Sequence, residues 1–137
     1  YDLIVLSPGP KSPEDYPHSL DLLKSLEQPV LGICLGFQMM AVICNGAVEK
    51  YSPPKHGKIS LLKAKAPFDQ LAVGRYHSLR CKPGADFNVL ATAADDNSIM
   101  WSEHKTKKLL GLQFHPESFL TESADLYKKY ILDWIQS

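Results

Sequence analysis

The stretch "PVLGICLGFQMM", residues 29–40, joins two kinds of structure around one reactive atom. "PVLGI" (29–33) is a short apolar run of the kind buried on both faces of a sheet. "LGFQMMAVICNG" (35–46) has apolar residues on nearly every side, as in a buried helix, and Asn45-Gly46 supplies its stop. Cys34 sits at the junction, between Gly32 and Gly36. A nucleophile exposed on a sharp strand-to-helix turn needs this G-x-nucleophile-x-G form, because the glycines permit close packing around a strained backbone. The helix N-terminus carries partial positive charge and free N–H groups, which favour a thiolate. The N–H of Leu35 is placed to stabilise an oxyanion. The competing reading is a buried cysteine beside packing glycines.

Working outward, "DLIVL" (2–6) reads as another buried strand, ending at the turn "SPGP" (7–10). From spacing alone that turn is a plain turn, although it could present the Gly9 N–H as a second oxyanion donor. Residues 13–28 carry Leu20, Leu23 and Leu26 at helical spacing. "SPPKHG" (52–57) reads as loop. "KISLLK" (58–63), "VGRYHSL" (73–79), "NVLATA" (88–93), "SIMW" (98–101) and "KLLGLQF" (108–114) are strand candidates. Leu126, Tyr127, Tyr130, Ile131, Trp134 and Ile135 form an apolar stripe at helical period. The order β-α-β-α, then strands, then a helix, predicts one α/β domain over residues 1–137. Its expected core is an open mixed, mostly parallel sheet with helices on both faces. Sites in such sheets lie at the carboxyl ends of the strands, where "SPGP", "GICLG" and "FHPES" would meet.

A thiol nucleophile requires a base, and the base an orienting group. Of five histidines, His18 lies in a helical segment, and His56 and His104 in polar loops. His77 in "RYHSL" and His115 in "FHPES" remain, and His115 is favoured. Extended residues at i and i+2 point to the same side, and Pro116 favours an extended His115, so Glu117 can reach the imidazole.

Composition narrows the rest. Fifteen Lys and Arg balance fifteen Asp and Glu, which gives no electrostatic ground for nucleic acid or an anionic membrane as partner. Three irregularly spaced cysteines (Cys34, Cys44 and Cys81) argue for a reducing, cytoplasmic setting over a disulfide framework. No Cys/His spacing suggests a metal, and no apolar run reaches membrane-spanning length.

Taken together, "SPGP", "GICLGFQ", "HGK", "RYHSL" and "GLQFHPESFLT" resemble the class I glutamine amidotransferases. Within them the chain is most similar to the glutaminase components of anthranilate and aminodeoxychorismate synthases. The resemblance implies that Cys34 attacks the side-chain amide of glutamine and that His115 is the base, oriented by Glu117. It implies an oxyanion hole from the N–H groups of Gly9 and Leu35. Gln38 and the backbone at Ser78 and Leu79 would hold the substrate's amino-acid end, which makes His77 structural. No cofactor is implied, and ammonia would pass to a synthase partner acting on chorismate. The family often has histidine in place of Phe37, and it begins with a further strand and helix before "DLIVL". A free-standing thiol hydrolase and a non-catalytic glutamine- or partner-binding remnant are the alternatives.

Overall fold

The structure is a computed structural model that describes residues 2–6 and 9–137, with only the backbone of residues 51–53. Ser7 and Pro8, half of the "SPGP" turn, lie outside the described residues. The strands are β1 (Ile4–Leu6), β2 (Val30–Ile33), β3 (Ala47–Ala64), β4 (Ala72–Lys82), β5 (Phe87–Ala93), β6 (Ile99–His104) and β7 (Leu109–Leu112). The helices are α1 (Pro17–Ser25), α2 (Leu35–Ile43) and α3 (Ala124–Gln136), with a 3-10 turn at Pro13–Asp15. The helix expected over 13–28 is thus shorter, broken at Tyr16 between the 3-10 turn and α1.

The seven strands form one sheet in the order β1-β2-β7-β6-β5-β3-β4. The expectation of a mostly parallel sheet is corrected here. Only β1–β2 and β2–β7 are parallel, and the other four pairings are antiparallel. The physical reason is connection length. Parallel neighbours need a crossover, usually helical. After α2 the chain forms no helix until Ala124, so its strands return on one another through turns.

The second correction concerns residues 52–57. They belong to β3, which runs unbroken from Ala47 to Ala64 and pairs with β4 along most of its length. Register shifts between Lys50 and Lys55, and between His56 and Lys58, absorb the prolines and Gly57. Proline and left-handed glycine are tolerated in strands at bulges and edges, and Gly57 has φ 65°.

Helices cover both faces, as the alternation along β2 requires. Val30 and Leu109 face α1 and α2, packing with Leu23, Leu35, Met39 and Met40. Leu31, Leu110 and Leu112 face the other way, with Trp101, Tyr127 and Trp134. The α3 stripe predicted from its period packs in or against this second cluster. Asn45, at φ 62°, takes the left-handed position after α2, and the Gly46 N–H closes on Ala41 O at 2.7 Å.

Candidate active site

The parallel register places the motifs. Leu6 is level with Gly32, and Ile33 with Leu112, so the chain leaves β1, β2 and β7 side by side. Beyond those ends lie Gly9, Cys34 and the segment Gln113–Glu117. The expected convergence of three motifs at one sheet edge is therefore a consequence of the β1-β2-β7 order.

Cys34 is the residue before α2 and has φ 54° and ψ −101°, a conformation that non-glycine residues rarely adopt. Strain of this kind costs about 1–3 kcal/mol and persists only where the surroundings impose it. Those surroundings are close. A Cβ on Gly32 would lie 2.6 Å from Gly36 C, and one on Gly36 would lie 2.5 Å from Leu6 O. The Cys34 N–H also donates to Leu112 O at 2.7 Å, tying the elbow to β7. A Cβ on Gly9 would lie 3.2 Å from Leu35 Cδ2, so Gly9 borders the Leu35 side chain. Tyr16 Oη donates to Pro10 O at 2.8 Å.

The thiol itself differs from the simple expectation. Burial pushes the Cys34 pKa up to about 11, against the lowering effects of the Leu35 backbone N–H and the Gln113 side chain. Nearby Glu117 adds a small upward push. Desolvation thus outweighs the helix-terminus donors, and the resting group is a neutral thiol.

His115 follows two residues after Gln113, on the segment that leaves β7. Its Nδ1 lies 2.7 Å from Glu117 Oε1, as the i, i+2 argument requires. A carboxylate partner favours the Nδ1–H tautomer. The His115 N–H donates to Gly74 O at 3.1 Å, and Thr121 Oγ1 donates to His115 O at 2.6 Å. The Tyr76 ring meets the imidazole edge-on at 4.9 Å. Among the described residues, the side chain that bonds the Cys34 sulfur is Gln113, whose Nε2 lies 3.5 Å from Sγ.

β4 forms the opposite wall. A cleft of ≈ 160 Å³ is lined by Gly9, Cys34, Gln38, His56, Ser78 and Leu79, among others. Gln38 Nε2 donates to Leu79 O at 3.3 Å, and His77 Nδ1 lies 2.7 Å from the same oxygen. Arg75 Nε donates to His77 Nε2 at 3.0 Å, so His77 carries its proton on Nδ1. Burial, then the Arg75 charge, lowers the His77 pKa to about 4. His77 is therefore a neutral buried strut, not a competitor for the base. Behind it the fully buried Arg75 binds Ser60 at 3.0 Å and Asp96 at 2.9 Å.

The sequence reading missed Gln113. The signal was available, because the same i, i+2 rule that links Glu117 to His115 also points backward to Gln113. It missed Arg75 too, since a strand arginine reads as exposed until its partners are seen. Among the described residues no cluster of three or more His, Cys, Asp or Glu could hold a metal. None of the described helices is long and apolar enough to cross a membrane.

Comparison with known proteins identifies the family. A profile described as "Glutamine amidotransferase class-I" matches residues 1–133. Anthranilate synthase component 2 of Methanocaldococcus jannaschii is 36% identical, over 99% of this chain and 75% of its own length. The pyocyanine-specific anthranilate synthase component 2 of Pseudomonas aeruginosa is 42% identical, over 97% and 70%. Aminodeoxychorismate synthase component 2 of Escherichia coli is 40% identical, over 88% and 70%. The fold is shared with a glutamine amidotransferase from Thermotoga maritima, at TM-score 0.76 and 24% identity, over 99% of this chain and 63% of that one. A Thermoplasma acidophilum protein matches at TM-score 0.84 and 22% identity, over 98% and 73%. The profile covers nearly the whole chain, and these three relatives are at least 36% identical over at least 88% of it. On that ground the chain belongs to the class I glutamine amidotransferase family.

Proposed function

We propose that the protein hydrolyses the side-chain amide of glutamine through a thioester on Cys34, with His115 as acid and base and Glu117 as its orienting group. The observation that carries this is the β2–β7 register. It sets the strained Cys34 elbow beside the segment in which His115 and Glu117 are bonded at 2.7 Å.

The steps follow from the groups present. His115 Nε2 takes the thiol proton, and the sulfur attacks the amide carbon. The N–H groups of Gly9 and Leu35 bind the resulting oxyanion. His115 returns the proton to the leaving nitrogen, the carbon–nitrogen bond breaks, and ammonia departs from a γ-glutamyl thioester. Water, deprotonated by His115, attacks the thioester; the carbon–sulfur bond breaks, the thiol is reprotonated and glutamate is released. Gln38 and the backbone at Ser78 and Leu79 hold the amino-acid end of the substrate across the cleft. The ammonia serves a synthase subunit acting on chorismate, a reading supported by relatives named as component 2 of anthranilate and aminodeoxychorismate synthases.

The test is glutamate release from glutamine, with acid-trapped thioester located by mass spectrometry, with and without a chorismate-using synthase component. Thioester on Cys34 and turnover raised by the synthase are expected. Turnover unchanged by the synthase would favour a free-standing hydrolase. Absence of thioester under both conditions would sink the catalytic reading.

A further inference from the structure

Gln113 is fully buried, between Leu112 and Phe114, which are also buried. Its side chain points to the face opposite theirs, toward Cys34, and the position holds a carboxamide. Its Nε2 donates to Cys34 Sγ at 3.5 Å, while its Oε1 is buried without a hydrogen-bond partner among the described residues. A buried acceptor left unpaired costs free energy that leucine or methionine would not incur. Something other than packing must explain the amide. Its backbone is fixed as well, because the Gln113 N–H donates to Met100 O at 2.8 Å and the Cys34 N–H to Leu112 O at 2.7 Å. The β2–β7–β6 register therefore keeps the two backbones side by side and the amide within reach of the sulfur.

We propose that Gln113 is a positioning residue for the nucleophile, its side-chain N–H holding the Cys34 sulfur in place and supporting it as an anion while His115 carries the proton. This rests on Cys34 being the nucleophile. A thiol is a weak acceptor and a thiolate a strong, charge-assisted one, so the bond strengthens as negative charge develops on sulfur. An interaction stronger in the charged state than in the resting state is the kind that accelerates a reaction. The Leu35 N–H cannot do this throughout, since the same N–H is needed by the oxyanion once the carbonyl is attacked. Among the described residues the Gln113 side-chain N–H has Cys34 Sγ as its partner. Burial raises the Cys34 pKa to about 11, and the Gln113 N–H acts against that rise.

The experiment compares wild type with Gln113→Met and Gln113→Leu, whose apolar side chains fill a similar volume. Two quantities are read on the full chain: Cys34 alkylation by iodoacetamide, located by peptide mass spectrometry, and the thiolate fraction reported by the Cys34 13Cβ resonance from pH 7 to pH 10.5, the foot of its titration. Thermal unfolding is measured in parallel. The expected result is unfolding at or above the wild-type temperature, with the Cys34 titration displaced upward by about one pH unit. That displacement leaves roughly tenfold less thiolate and roughly tenfold slower alkylation at a given pH. Superimposed titrations, with a reactive wild-type Cys34, would overturn the role of Gln113 and leave the nucleophile assignment standing. Loss of the fold in both variants would also overturn it, showing the amide to be structural. If wild-type Cys34 reacts no faster than Cys44 and Cys81, the nucleophile assignment fails and this inference with it.

Discussion

The Cys34 elbow and the β3–β4 ribbon face each other across one cleft, but they hold their shapes by opposite means. The elbow is apolar and crowded. Three short parallel strands, two tightly packed glycines and a buried helix force one backbone conformation on Cys34. The ribbon is long, antiparallel and bulged, and a buried polar network of Arg75, His77, Ser60 and Asp96 holds it. In the proposed mechanism the elbow shapes the reacting atom, whereas the ribbon shapes the binding wall. Tyr76 Oη and Ser118 Oγ, 2.9 Å apart, link the ribbon to the His115 turn, so the halves are coupled but not interchangeable.

If that division holds, substitutions at the elbow and its base should remove turnover, and those in the ribbon should weaken binding or stability. The largest effect is expected at Cys34. Cys34→Ala should lower glutamine hydrolysis by at least about ten-thousandfold, measured as glutamate release, while Cys44→Ala and Cys81→Ala keep it. Near-normal turnover in Cys34→Ala would remove the elbow from the chemistry. Next, His115→Ala should cost roughly a thousandfold in kcat, and Glu117→Ala roughly ten- to a hundredfold, because the carboxylate positions the base and carries no proton. By contrast His77→Gln should raise KM with kcat largely kept. A kcat loss at His77 exceeding that at His115 would reverse the two roles.

A smaller, pH-dependent effect tests the ribbon. The folded protein holds His77 neutral, with a pKa lowered to about 4 from 6.5. Its contribution to stability is complete above pH 6.5 and is lost as pH falls toward about 4, where the unfolded chain has bound the proton first. The amount at stake is about 3 kcal/mol. Denaturant unfolding between pH 7 and pH 4 should show this loss, and His77→Gln should flatten the profile.

The smallest expected effect is at Phe37, where the family often carries histidine. Phe37 is fully buried, and a Cβ on Gly111 would lie 2.1 Å from its Cδ1, so the ring lies directly over β7. Phe37→His should destabilise by about 1–2 kcal/mol, since an imidazole would enter an apolar site. Its rate of thioester formation should stay within about twofold of wild type. A large increase would show that the imidazole takes part in the chemistry.

Much of the elbow was legible because its signals are local. A strand, a G-x-C-x-G turn and a helix are written in consecutive residues, and the His115–Glu117 pair follows from two-residue periodicity. The ribbon was less legible. "SPPKHG" reads as loop by its prolines and glycine, yet β3 continues through it because β4 pairs with it across two register shifts. The parallel share of the sheet was overestimated for a similar reason. Strand candidates are visible one by one, but their partners depend on where the next helix falls.

By itself the sequence determined the order of elements, the candidates for nucleophile and base, the alternation that buries β2 on both faces, and the family. Those properties rest on residue identity and short-range geometry. Only the tertiary structure decided the state and supports of the site. Burial, which no local pattern reports, made Cys34 a resting thiol and His77 a neutral strut. The pairing of β2 with β7 brought Gln113 to the Cys34 sulfur across 79 residues of chain, a contact that exists only after the sheet has closed.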